Sequence, residues 1–227
     1  MRDMTTTGFQ RARSAQAKQE RESAILAAAQ QLGAAHGIRA VTLTDIAEAV
    51  GMHKSAMLRY FETREQIFLR LTAAGWHEWS ADLRSRLGGL PTDAATPAPA
   101  AAIAQAFADS LVARPMFCDL LAQAPLNLER NVSLESVRAF KLATLEEVHA
   151  ISAELARLRH LTEQQAVDVI ATATSLAGAL WQMATPGPEV QALYRSDPRL
   201  AHATVEVGPR LTRVLTALLA GLGPPRK

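Results

Sequence analysis

Between positions 53 and 59 this chain gathers side chains suited to touching a polyanion. His53, Lys54, Ser55, Ala56 and Arg59 are short or cationic and share one side of a helix expected from about His53 or Lys54 to Phe61. Lysine and arginine neutralise phosphates, and a guanidinium meets a base edge with paired donors, while short side chains let the backbone come close. Lys54, Ser55 and Arg59 are therefore candidates for base or groove contact, and Thr44, Tyr60 and Arg64 for phosphate contact. On the opposite side Met57, Tyr60 and Phe61 recur at spacings of three and four, which predicts that they pack inward.

Something must hold that helix out, and the residues before it supply the parts. Thr42 is placed as an N-cap, with Asp45 three positions on to complete a capping box. Ile46, Ala47 and Val50 then fall on one face of helix 43–50, and Ala47 is small where a second helix must cross. Gly51 follows the last turn, where a left-handed backbone suits glycine, and Met52 plugs the turn into the core. Any small helical hairpin needs a cap, a glycine turn and an apolar seam. Here all of them fall in register, and the pair reads as a helix-turn-helix, a form that presents its second helix to the DNA major groove.

The pattern Thr42-x-x-Asp-Ile-Ala-x-x-Val-Gly51-Met-x-Lys-x-x-Met-x-x-Tyr60-Phe61-x-x-Arg64-Glu65 resembles the DNA-binding signature of TetR-family transcriptional regulators. Ala28-Ala29-Gln-Gln-Leu32-Gly-Ala-Ala-His-Gly37 is similar to that family's first helix with its closing glycine. The likeness covers roughly residues 20 to 70. It implies an all-α fold: an N-terminal three-helix DNA-binding bundle with helix-turn-helix, and a C-terminal helical domain for ligand binding and dimerisation. The implied DNA-facing set is Thr42, Thr44, His53, Lys54, Ser55, Ala56, Leu58, Arg59, Tyr60 and Arg64, the last where the family has a phosphate-contacting lysine or arginine. Departures are local: His53 stands where the family commonly has Ser, Ser55-Ala56 where it often has Gly-Thr, and Leu58 where it has a phosphate-contacting Tyr. The operator sequence therefore does not carry over from relatives.

Composition agrees with helices throughout. The chain has 227 residues, 48% of them hydrophobic, with Ala and Leu abundant and β-branched runs scarce. A single cysteine, Cys118, excludes an internal disulfide and fits a reducing cytoplasm. Cys118 lies on an apolar stripe, as a small core residue does. No apolar run approaches the roughly 18 residues of a membrane span, and no membrane partner is expected. Net charge is only +2, but Arg2, Arg11, Arg13, Lys18 and Arg21 stand against Asp3 and Glu20 within the first 21 residues. Three divisions follow: a basic flexible arm at 1–18, the helix-turn-helix domain at 19–64, and an effector-binding and dimerisation domain at 65–223. An arm this polar is expected to be disordered when free and to follow phosphates or enter a minor groove, unless it is merely a solvated tail.

Helix 1 is expected from about Gln19 to His36, with Ile25, Leu26, Ala29 and Leu32 buried and Gly37 as its C-cap. Thr63 caps a helix running to Leu87, about 36 Å at 1.5 Å per residue, long enough to link head and core. A Pro/Gly-rich loop over 88–99 precedes helical patterns at 99–113, 115–123, 133–159, 162–184 and 200–221, and Thr185-Pro-Gly-Pro188 stops the fourth.

The last two patterns are apolar on more than one side. Val167, Ile170, Ala171, Thr174, Ala177, Gly178 and Trp181 form one seam of 162–184, with Leu176, Leu180 and Met183 on another. Val205, Leu211, Val214, Leu215, Leu218 and Leu219 do likewise in 200–221. Such helices are covered on both sides, by a thicker core or, as the resemblance implies, by their twins in a homodimer. Two heads one DNA turn apart would read a palindromic operator on double-stranded DNA.

By the same resemblance the second domain holds an unknown small apolar effector, and Trp79, Phe107, Phe117, Phe140, His149 and Trp181 are its candidate lining. The expected function is a ligand-responsive transcriptional regulator, most often a repressor in this family. The alternative is a helical-bundle enzyme or metal-binding protein with a vestigial DNA module, since Glu146-Glu147-Val148-His149 contains one Glu-x-x-His. A di-iron site needs two such motifs, and no nucleophile elbow, phosphate-cradling loop or His-Glu-x-x-His occurs, so no catalytic residue, metal or cofactor is expected. A third possibility is an architectural DNA-binding protein without an effector.

Overall fold

The computed structural model describes residues 4–91 and 98–222 and contains ten α-helices among them, with no strand. In chain order these are α1 (Met4–His36), α2 (Leu43–Ala49), α3 (Lys54–Met57), α4 (Arg64–Gly88), α5 (Ala100–Val112), α6 (Pro115–Gln123), α7 (Leu134–Arg159), α8 (Glu163–Ala184), α9 (Pro188–Ser196) and α10 (Val207–Gly221). Among the described residues no helix is long and apolar enough to cross a membrane. Arg2 and Asp3 of the expected arm, residues 92–97 of the expected loop and residues 223–227 lie outside those described.

Local chemistry explains several helix boundaries. Thr42 accepts from the Asp45 amide at 3.2 Å while Asp45 accepts from the Thr42 amide at 2.7 Å, a complete capping box. Thr162 and Gln165 repeat it at α8, and Thr63 caps α4 by accepting from the Gln66 amide. Gly37 and Gly51 take φ of +79° and +65°, the left-handed turn that ends each preceding helix.

Three boundaries differ from expectation. Helix α1 begins at Met4 instead of Gln19, because the Ala, Gln, Arg and Lys before Gln19 are good helix formers and no proline interrupts them. The recognition helix is α-helical only over Lys54–Met57. Past it the amides of Arg59 and Tyr60 bond three residues back, so the segment tightens into turns up to Phe61. Pro186 stops α8 as expected, yet Pro188 then starts α9 at the position where a missing N–H does no harm. A 3₁₀ turn over Pro198–Ala203 follows, so α10 begins at Val207 and not at 200.

Helices α1–α3 and the start of α4 form the head, and α4 carries on into the core. There α4 lies along α7, α6 lies along α8, α5 packs on α10, and α8 touches both α7 and α10. Two glycines allow close crossings. A Cβ on Gly178 would stand 2.9 Å from the Ala122 backbone nitrogen, and one on Gly75 would stand 2.5 Å from the Phe117 ring. Between α6 and α7 a π turn over Ala124–Leu128 passes into a 3₁₀ turn over Glu129–Asn131. Pro125 has no N–H to bond the carbonyl four residues back, which loosens the helix there.

Candidate nucleic-acid interface and effector region

In the head, Ile46, Ala47, Met57 and Phe61 are buried, and Val50, Met52 and Tyr60 pack half-buried against them. The seam leaves the other side of the recognition segment to solvent. His53, Lys54, Ser55, Leu58 and Arg59 are exposed, as are Thr42 and Thr44 on α2; Ala56 is half-buried. The structure thus brings the expected face together. His53 is the N-cap of α3 but makes no side-chain cap bond, leaving its imidazole outward. Thr42 is committed to its capping box, and hydrogen bonds from Thr42 hold the Asp45 carboxyl below its usual range.

Arg64 is held within the head. Its guanidinium donates to the carbonyls of Val41 and Ile38, pairs with Glu65 at 2.9 Å and lies 4.7 Å over the Phe68 ring. These bonds fix the turn between α1 and α2, and the side chain is only 15% exposed.

The six residues expected to line an effector pocket do not meet around one cavity. Trp79, Phe107 and Phe117 are buried in one aromatic cluster with Trp76, at centroid distances of 5.3 to 6.0 Å. The Trp79 indole N–H donates to Ser110 Oγ at 2.9 Å, so Trp79 is core. His149 faces outward, 3.4 Å from Glu163. Trp181 lies at the head–core junction, in a cavity of about 590 Å³ that also touches Ile38, Met116 and Asp119. Phe117 borders a space of about 200 Å³ between α4 and α6, and Phe140 borders two: one of about 510 Å³ between α4 and α7, and a cavity of about 210 Å³ shared with Trp76, Thr144, Thr174 and Pro125. Thr144 Oγ1 is buried there without a partner in the protein. Thr144 and the π turn were not singled out in the sequence, where a threonine mid-helix carries no signal.

Among the described residues no group of three side chains forms a metal site. Cys118 is buried and donates to Leu111 O at 3.3 Å, and burial, with Asp119 beside it, pushes its thiol up to about 12.

Two carboxylates cross from head to core, neither of them singled out in the sequence. Glu62, the residue after Phe61, accepts from the Ser133 amide, Ser133 Oγ and Ser136 Oγ at 3.0, 3.0 and 2.7 Å. The Ser136 bond, with the Ser133 amide behind it, holds its carboxyl below the usual range. Asp119 on α6 accepts from the Ile38 amide at 2.9 Å and from Gln182 Nε2 on α8 at 2.8 Å.

A helix-turn-helix head on a long helix that enters a helical core defines a two-domain DNA-binding regulator. Residues 25–71 match the family model of bacterial regulatory proteins of the tetR family, and residues 73–226 match the tetracyclin repressor-like C-terminal domain. The chain belongs to the TetR family of transcriptional regulators, which are DNA-binding factors and not enzymes. Its fold is similar to that of Thermus thermophilus FadR, a TetR-family repressor in complex with lauroyl-CoA: 16% identity, 91% of this chain and 96% of that one covered, TM-score 0.57. The fatty acid degradation regulator FadR from Bacillus halodurans is similar at 14% identity, 90% and 97% coverage and TM-score 0.54. A TetR/AcrR regulator from Thermobifida fusca stands at 18% identity, 92% and 100% coverage and TM-score 0.51. A comparison with curated proteins finds no match.

Proposed function

We propose that this protein is a cytoplasmic, homodimeric repressor that binds a palindromic operator and responds to a small apolar effector. The observation that carries the reading is the exposed face from His53 to Arg59, set on a buried seam of Ile46, Ala47, Met57 and Phe61. Lys54, Ser55 and Arg59 reach base edges or the groove, and Thr44 and Tyr60 hold phosphates, with Thr42, His53, Ala56 and Leu58 around them. The basic arm adds backbone contacts. Arg64 acts indirectly, by fixing the turn on which α2 stands.

The homodimer forms through α8 and α10. Ala171, Ser175, Ala179 and Met183 on α8, with Val214, Ala217 and Gly221 on α10, are exposed in the single chain. Their small or apolar character supports a helix-on-helix contact. The effector occupies the space bordered by Trp76, Phe140 and Thr144, which π and 3₁₀ turns allow to widen.

A genome-wide binding selection on the purified protein tests the reading. Enrichment of a palindrome supports it; no enriched sequence would sink it. On the recovered operator Arg59→Ala weakens binding by about 1–3 kcal/mol and relaxes base preference at its position. Mobility shifts that stay unchanged would remove the recognition assignment. Thermal shift against small apolar ligands tests the effector, with lauroyl-CoA included because a similar fold holds it. A melting temperature that no ligand raises would leave an architectural protein instead.

A further inference from the structure

We propose that Glu62 is a positioning residue through which α7 sets the angle of the recognition segment. Glu62 follows Phe61, which is 2% exposed and anchors the end of that segment in the head. Its carboxylate holds the first turn of α7, accepting from Ser133 and Ser136, more than seventy residues away in sequence. The neighbouring bonds make the tie a network. Gln66 Nε2 donates to Ser136 Oγ at 2.9 Å, Gln66 Oε1 accepts from the Glu62 amide at 2.8 Å, and Thr63 Oγ1 donates to Asn131 O at 3.1 Å. A carboxylate at a helix start satisfies amides that have no partner within the helix and lies favourably along the helix dipole.

The other end of the lever is close. Phe140 stands one turn beyond Ser136 on α7, about 6 Å along the axis at 1.5 Å per residue. With Thr144 it borders the cavity assigned above to the effector. A group that displaces α7 there moves Ser133 and Ser136, and with them Glu62 and the residues from His53 to Arg59. The tie and Phe140 also wall the cavity of about 510 Å³ between α4 and α7, which gives Glu62 room to swing when the bonds break. Because Asp119 and α4 join head to core independently, removing the Glu62 carboxylate leaves the head folded and attached.

The inference rests on the regulator reading, and its test separates the two. Hydrogen exchange of the full-length protein is measured for wild type, Glu62→Ala and Ser136→Ala, and binding is measured on the operator selected with wild type. Exchange rises about five- to tenfold at both 57–62 and 133–137 in each variant and is unchanged in α5 and α10. Operator affinity falls by about the same factor, with an unaltered salt slope because Glu62 meets no phosphate. The double variant is no worse than either single one, as for partners in one network. Operators with a base pair inserted between half-sites lose part of their penalty, a change that stability alone does not produce. Wild-type affinity and spacing preference in Glu62→Ala, or a lowered melting temperature with both retained, overturns the proposal. If wild type enriches no DNA, the regulator reading fails instead and exchange decides the tie: unchanged rates at either end remove it.

Discussion

Arg64 is the residue where the resemblance and the contacts within the protein point in different directions. The resemblance points it at a phosphate, while the structure spends its fork on the Val41 and Ile38 carbonyls and its flat face on Phe68. Arg64→Ala leaves those carbonyls unpaired. The expected outcome is a loss of about 1–3 kcal/mol in urea denaturation and weaker binding to every DNA sequence, with the salt slope unchanged. A slope smaller by about one unit would return Arg64 to the phosphate. Arg64→Lys restores little, since an ammonium cannot address two divergent carbonyls in the plane of a fork.

Elements were legible where their signals are local. Thr42 with Asp45 and the glycines at 37 and 51 act within a few residues of themselves, and each forms the cap or turn its spacing predicts. Helix α9 was hidden because Pro186-Gly-Pro188 reads as a stop, and a proline that ends one helix and a proline that begins another look alike in sequence. The effector lining is hard to read for a related reason. Helical spacing assigns Trp79, Phe107 and His149 to faces, but which face meets a cavity depends on helices far along the chain. Glu62 and Ser133 could not have been paired at all from spacing. The crossing of α6 and α8 is the element-scale contact most open to test. At Gly178 an added Cβ meets backbone, so neither partner can yield by changing rotamer. Gly178→Ala is expected to destabilise by about 1–3 kcal/mol despite alanine's better helix propensity, read from the urea midpoint. A neutral or stabilising result would mean that the helices can separate.

At the scale of the whole molecule, the proposed homodimer uses the faces of α8 and α10 left to solvent, and these would set how its two heads are spaced. Ala171→Glu with Val214→Glu places charge on both faces while touching nothing buried in the single chain. Sedimentation is expected to show a folded monomer, and operator affinity to fall about a hundredfold or more as the second half-site contact is lost. A variant that sediments as wild type would move the interface elsewhere. Inside the chain, the buried hydroxyl of Thr144 on α7 has a consequence of its own. In the proposed effector site, a guest offering a carbonyl, ether or carboxylate gives that hydroxyl an acceptor, which a pure hydrocarbon does not. Preference between greasy molecules of equal size would then turn on a single atom of the visitor, its oxygen.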